Sequence, residues 1–250
     1  MKAIIVAAGM GRRLGSHTAE IPKCMVDVAG TSILQRQVDA LRAAAVDEIN
    51  VVRGYLGDRI TVPGLRFFDN PDFRDNNILA SLFFAAPVMA GGFVFSYSDI
   101  LYDATVTRAL VAAAGDYRLI IDRGWHRSYA GRTDHPVSEG ELTLVEGGLV
   151  KRVGKGLVSP EVTVGEFIGL AYFSAAAAAR LLAEHARLRA ARGDDAPFGT
   201  ARTLRKAYLT DMLNHLIDQG APMTPVFIDG HWREIDTVED LLRVRQELDF

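Results

Sequence analysis

Gly9 and Gly11, followed at once by Arg12 and Arg13 and then by Pro22 and Lys23, are the first residues along this chain whose types and spacing can do chemistry. Glycines let a backbone approach a ligand closely and leave its amides exposed, and amides with cations beside them suit a phosphate chain. Two established phosphate loops do not fit. A dinucleotide fingerprint needs glycine where Leu14 stands, and a P-loop needs four residues between its glycines and then Lys with Ser or Thr. An anion site of another kind remains. Asp99, which ends the apolar run "FVFSYS", and Asp236, which precedes "TVEDLLRVRQEL", are the second group. Magnesium takes one or two carboxylates and completes its shell with phosphates and water. Each aspartate also has a purely structural reading: Asp99 as a residue that turns the chain at a strand end, Asp236 as the cap of the last helix with Glu239 at its third position. Asp103 reads as a helix-start residue. His17, His126, His185, His215 and His231 show no ligand spacing such as HExxH, so zinc is not expected.

The elements that must position these groups alternate along the chain. "KAIIVA" reads as a strand, Ser32 to Val46 has apolar residues at helical spacing, and "EINVVRG" is β-branched and apolar again. "LRFFDN", "GFVFSYSD", "YRLIIDR" and "EFIGLAYF" are further strands; Ile78 to Ala86, Ala104 to Ala114, Ala175 to Arg192 and Ala201 to Gln219 are further helices. Such alternation predicts an α/β fold, a Rossmann-like, mostly parallel sheet flanked by helices. "ELTLVEGGLVKRV", with Gly147 and Gly148 at its centre, reads as a hairpin that adds an antiparallel ribbon. Ligands of open α/β sheets gather beyond the carboxyl ends of the strands, which is where the glycine loop begins.

Composition narrows the partners. A chain of 250 residues with a net charge of −3 buries a sizeable core and is expected to form one domain over 1–250. Its pI of about 6.1 offers no footprint for nucleic acid or an anionic membrane, so phosphate binding should be local to a site. Cys24 is the lone cysteine, which excludes an intramolecular disulfide and fits a reducing, cytoplasmic compartment. The longest apolar stretch, "LFFAAPVMAGGFVF", is broken by Pro87, Gly91 and Gly92 before membrane-spanning length.

"AIIVAAGMGRRL", "PKCMVDVAG" and "WREIDTVEDL" resemble, in order, the blocks of the nucleotidyltransferase superfamily, whose members join a nucleotide to a phosphorylated small molecule. "NPDFRDNNILASL", "SYSDILY", "YAGRTDHP" and "VGKGLVSPEVTVGEFIGLAYFS" are similar to its cytidylyltransferase branch, which activates phosphocholine and small phosphonates such as 2-aminoethylphosphonate. Asp75, Asn76 and Asn77 replace the glutamine and glycine-rich loop that sugar-1-phosphate enzymes place near the base, which disfavours a hexose phosphate acceptor.

The resemblance implies a reaction and roles. An acceptor phosphate or phosphonate oxygen attacks the α-phosphorus of CTP and pyrophosphate leaves, so positioning and charge neutralisation dominate. The backbone of Ala7, Ala8, Gly9 and Gly11 would hold base and ribose, with Asn76 and Asn77 beside the base. Arg13 would grip the triphosphate, Lys23 would offset charge at the α-phosphate, and Asp99 and Asp236 would hold Mg2+. Lys155 in "VGKGL" resembles a lysine that meets the acceptor phosphate, although an exposed hairpin lysine is an equal reading from sequence alone. Arg132 and His135 are expected to hydrogen-bond the acceptor. Trp125, Tyr129 and Trp232 offer aromatic faces for a cation; Glu166 or Asp122 offers a carboxylate for a primary ammonium. A sugar-1-phosphate nucleotidyltransferase stays as an alternative. So do a nucleotide-sugar glycosyltransferase, whose DxD spacing "SYSDILYD" lacks, and a non-catalytic nucleotide-binding module.

Overall fold

The computed structural model describes residues 1–247. Strand β1 (Lys2–Ala7) is apolar throughout because both of its faces are covered: Ile4 and Val6 belong to one core layer, Ala3, Ile5 and Ala7 to the other. The small hairpin β2 (Asp27–Val28) and β3 (Thr31–Ser32) leads into α1 (Ile33–Arg42), capped by the Ser32 hydroxyl accepting from the Gln35 amide at 3.2 Å. This helix stops short of the expected Val46, since Ala45 adopts a left-handed backbone with φ 58°. β4 (Glu48–Arg53), β5 (Leu65–Asp69) and β6 (Phe93–Tyr97) follow, with α2 (Ile78–Leu82) and α3 (Ala86–Met89) between the last two. The expected helix from Ile78 to Ala86 is thus two short ones, and Pro87 sits in the first turn of the second.

β7 (Ile100–Tyr102) turns into α4 (Ala104–Ala112), with Asp103 as its cap, as read from sequence. β8 (Tyr117–Asp122), α5 (Trp125–Tyr129) and the hairpin β9 (Leu142–Glu146) and β10 (Leu149–Val153) precede β11 (Gly165–Phe173) and α6 (Ala175–Arg192). The stretch from Ala201 to Gln219 forms only α7 (Leu209–Asp218) and a single turn at Leu204–Lys206. The Asp211 carboxylate takes the Tyr208 amide at 2.8 Å and so starts the helix late. β12 (Met223–Ile228), β13 (Trp232–Glu234) and α8 (Val238–Glu247) complete the described elements; Leu248, at the end of the last predicted helix, lies outside the described residues.

The main sheet runs β10-β9-β11-β6-β1-β4-β5, with β8 and β12 branching from β11. Neighbours from β6 to β5 are parallel, whereas β11 lies antiparallel to β6, β8 and β9. The predicted ribbon is β9–β10, attached at the sheet's edge. Helices α1 and α4 cover one face, with Val38, Leu41, Val106 and Leu110 in the core; α6 and α7 cover the other, with Leu181, Leu188, Met212 and Leu213. A third, small cluster joins Leu14 and Ile33 to Ile235, Leu241 and Val244. Leu14, the residue that breaks the dinucleotide fingerprint, is fully buried there and fastens the glycine loop to the last helix. None of the described helices is long and apolar enough to cross a membrane.

Candidate active site

The carboxyl ends of β1 and β6 open into a cleft of about 680 Å³, and the glycine loop forms one of its walls. Gly11 has a left-handed backbone with φ 58°, and a Cβ there would fall 2.9 Å from the Cβ of Lys23, so only glycine lets the loop lie this close to the lysine. Ala7, Ala8, Gly9, Gly11, Arg12 and Arg13 all line the cleft. Arg13 is half exposed and pairs with Asp236.

Lys23 occupies the centre. It follows the extended Pro22 into a tight turn, and its Nζ donates to Asp99 Oδ2 at 2.8 Å and also to Asp236 Oδ1. Burial alone would lower the ammonium's pKa, but the Asp99 and Asp236 charges raise it well above its ordinary value. Burial would likewise raise the Asp236 carboxyl; Lys23, His135 and Arg13 hold it well below the usual carboxylate range instead. Both aspartates lie in the cleft wall, so Asp99 does more than turn the chain. Nor does Asp236 cap α8. That cap is Thr237, whose hydroxyl takes the Asp240 amide at 3.2 Å while Asp240 takes the amides of Asp236 and Thr237, and Glu239 points instead at the backbone of Thr133 and Asp134. Freed of capping, the Asp236 carboxylate faces Lys23 and Arg13. The Ile235 amide donates to the Asp99 carbonyl at 2.9 Å, and β13 pairs with β7, which fixes the two aspartates against each other.

Asn76 and Asn77 line the cleft beyond the glycine loop. The Asn76 amide is engaged by Asn70 in both directions, at 3.0 and 3.1 Å, and by the Ser81 hydroxyl. Asn77 donates to the Lys206 carbonyl at 3.1 Å. Across the cleft Lys155 is half buried and donates to Glu139 at 3.0 Å, which rules out the exposed-hairpin reading. Burial would lower its pKa, but Glu139 and Glu141 raise it.

The residues expected at the acceptor separate into three groups. Glu166 and Trp232 line the cleft. Arg132 and His135 do not line it and stand behind its wall instead of contacting an acceptor. Arg132, 5% exposed, donates to Asp240 at 2.6 Å and to Glu234 at 3.0 Å, while His135, 1% exposed, lies 3.4 Å from both Glu234 and Asp236. Trp125 is outside the cleft lining and packs edge-on against His126 and Tyr129. Asp122 is buried outside the cleft lining, where its carboxylate accepts from the amides of Gly124 and Gly230 and from the Trp232 indole N–H.

Three further carboxylates line the cleft without having been singled out: Glu139, Glu141 and Glu234. Glu141 accepts from the Tyr97 hydroxyl at 3.1 Å and the Thr210 hydroxyl at 3.2 Å, and burial pushes it up to about 7. Burial and the Asp236 charge raise Glu234. A signal for Glu234 was present, since residues two apart on an extended chain share a face and Asp236 was already a candidate. Two donor sets suit a cation: Asp99 with Asp236, all oxygen, and the adjoining His135, Glu234 and Asp236, whose donor atoms lie within 4.8 Å of one another.

Comparison with known proteins places the chain in a family. The family model of the MobA-like NTP transferase domain matches residues 3–193. The chain is similar to CTP:phosphoglutamine cytidylyltransferase of Campylobacter jejuni, at 29% identity over 96% of this chain and 98% of that one. It is also similar to 2-aminoethylphosphonate cytidylyltransferase of Lancefieldella rimae, at 30% identity over 72% of this chain and 69% of the relative. Its fold matches the solved structure of CTP:phosphocholine cytidylyltransferase from Streptococcus pneumoniae with a TM-score of 0.74 over 99% of both chains, at 19% identity.

Proposed function

Because the chain belongs to the MobA-like NTP transferase domain family and is a nucleotidyltransferase, we propose that it transfers CMP from CTP to a small phosphate- or phosphonate-bearing acceptor and releases pyrophosphate. The observation that carries this reading is Lys23, fixed between Asp99 and Asp236 where the parallel strands end, with Arg13 beside it. The choice of CTP is supported by the cytidylyl chemistry in the names of both relatives.

The reaction asks for charge neutralisation in a fixed geometry, not for a covalent nucleophile. The loop amides from Ala8 to Gly11 receive the nucleotide, and Arg13 draws the leaving pyrophosphate. Lys23 stays protonated across the working pH range and turns its charge toward the α-phosphate as negative charge shifts there. Lys155, on the opposite wall, meets the acceptor's phosphorus oxygens. Those oxygens are already anionic at neutral pH, so the attack needs no general base. The all-oxygen pair Asp99 and Asp236 fits magnesium, which would add a Lewis acid on the phosphate oxygens when bound.

A matrix of CTP, UTP, ATP and dTTP against phosphocholine, phosphoethanolamine, 2-aminoethylphosphonate and glucose-1-phosphate, read by pyrophosphate release, tests the proposal. Turnover confined to CTP with a non-sugar acceptor is the expected result. Equal turnover with another triphosphate overturns the base assignment, and preference for glucose-1-phosphate overturns the acceptor class.

A further inference from the structure

Glu166 is the least exposed of the carboxylates that line the cleft. It lies near the start of β11, is 4% exposed, and contributes to the cleft wall. One carboxylate oxygen, Oε1, accepts from the Tyr129 hydroxyl at 2.5 Å; the other, Oε2, is buried, and no donor among the described residues reaches it. A buried carboxylate oxygen left without a donor is costly, and such oxygens are found paired in the great majority of proteins. Gly140 packs against the pair so tightly that a Cβ there would lie 2.6 Å from the Tyr129 oxygen and 3.1 Å from Oε1.

Its electrostatic surroundings sharpen the need. Glu141 and Glu234 line the same cleft, and the buried Arg132 behind its wall is hydrogen-bonded to Glu234 and Asp240. Burial and the Glu234 charge push the ligand-free Glu166 carboxyl up to about 8, more than the Tyr129 hydroxyl and the Arg132 charge offset, so a cation arriving at Oε2 is what would let it ionise at neutral pH. The aromatic residues nearby do not form an open cage. Trp232 is 3% exposed with its indole N–H on Asp122, Tyr129 gives its hydroxyl to Glu166, and Tyr208 faces the ammonium of Lys155 at 5.6 Å. Aromatic faces are what a quaternary ammonium selects, whereas a lone fixed oxygen selects an N–H.

We propose that the acceptor carries an ammonium group with at least one N–H, which donates to Glu166 Oε2, and that the site discriminates against a trimethylated ammonium. The inference rests on the cytidylyl-transfer reading for the identity of the reaction, but the recognition it describes is a property of the cleft alone.

The test is a methylation series: phosphoethanolamine, its N-methyl and N,N-dimethyl forms, and phosphocholine, each assayed with saturating CTP. The first three keep an N–H, and the last has none. A charge-assisted hydrogen bond corresponds to roughly 10- to 100-fold in kcat/KM, so a drop of that size is expected between the dimethyl and trimethyl acceptors. Glu166→Gln keeps the side-chain shape and an oxygen for Tyr129, and should bring the series close to level while leaving the calorimetric affinity for CTP as it was. Phosphocholine turning over as well as phosphoethanolamine overturns the inference, and so does a Glu166→Gln enzyme that still discriminates; cytidylyl transfer survives either result. If no acceptor releases pyrophosphate, the cytidylyl reading fails, and the same four compounds titrated into the CTP-loaded protein decide the inference by calorimetry. Affinity lost only at the trimethyl compound then supports it, and affinity indifferent to the N–H overturns it.

Discussion

Lys23 Nζ lies 2.8 Å from Asp99 Oδ2 across 76 residues of sequence, and the same ammonium also meets Asp236. The lysine therefore bridges the two carboxylates before any nucleotide arrives. Lys23→Ala is expected to lower kcat by on the order of 10²-fold or more, with a smaller rise in the KM for CTP. Steady-state kinetics over a CTP series checks this. An effect confined to KM would show uniform binding instead of help to the transition state.

Asp99→Asn and Asp236→Asn should each abolish turnover at saturating magnesium and leave the circular dichroism spectrum unchanged, and a chelator should silence the wild-type enzyme. The changes are isosteric and α8 keeps its Thr237 cap, so the secondary structure read by circular dichroism is retained even where losing a partner of Lys23 lowers stability. Near-normal rates in either variant would remove that aspartate from the metal assignment.

Arg132 is buried between Asp240 and Glu234, so its loss strands carboxylates that have left water. Arg132→Leu is expected to cost about 3–5 kcal/mol of stability, measured by urea unfolding. An unchanged midpoint together with a raised acceptor KM would return Arg132 to the role of acceptor contact.

The pH dependence of stability follows from Glu166. In the folded, ligand-free protein its carboxyl is pushed up to about 8, above the ordinary 4.5, so the folded state holds this proton more tightly than the unfolded chain. Its contribution is fully present below about 4.5 and is lost as pH rises through about 8. Glutamine cannot ionise. The unfolding free energy of Glu166→Gln minus that of wild type should therefore climb from about pH 5 to about pH 9. A flat difference would mean that Glu166 ionises in the folded protein as readily as in water.

Much of the site was legible because its first members are local. The glycine loop with its cations, Lys23 after Pro22, and Asp99 at the end of an apolar run announce themselves within a few residues. What escaped depends on partners far off in sequence. Arg132 reads as an acceptor contact until Asp240, 108 residues on, is folded against it. Glu141 opens a hairpin strand and looks solvated until Tyr97 and Thr210 enclose it. Of the fold, the alternation predicted the order of layers but not the direction of β11. A strand buried on both faces shows the same continuous apolar run whether its neighbours are parallel or antiparallel.

Asp236 meets Lys23 across 213 residues, on a segment held by the pairing of β13 with β7. During synthesis the glycine loop, Lys23 and Asp99 leave the ribosome long before that segment does. The nascent chain can fold strand by strand and still lack one of the two carboxylates that flank its central lysine. Contacts of such sequence separation form late, because closing a long loop costs entropy before it returns any interaction. A chain halted before β13 would therefore hold the glycine loop, Lys23 and Asp99 while missing the carboxylate that pairs with Lys23 from the other side.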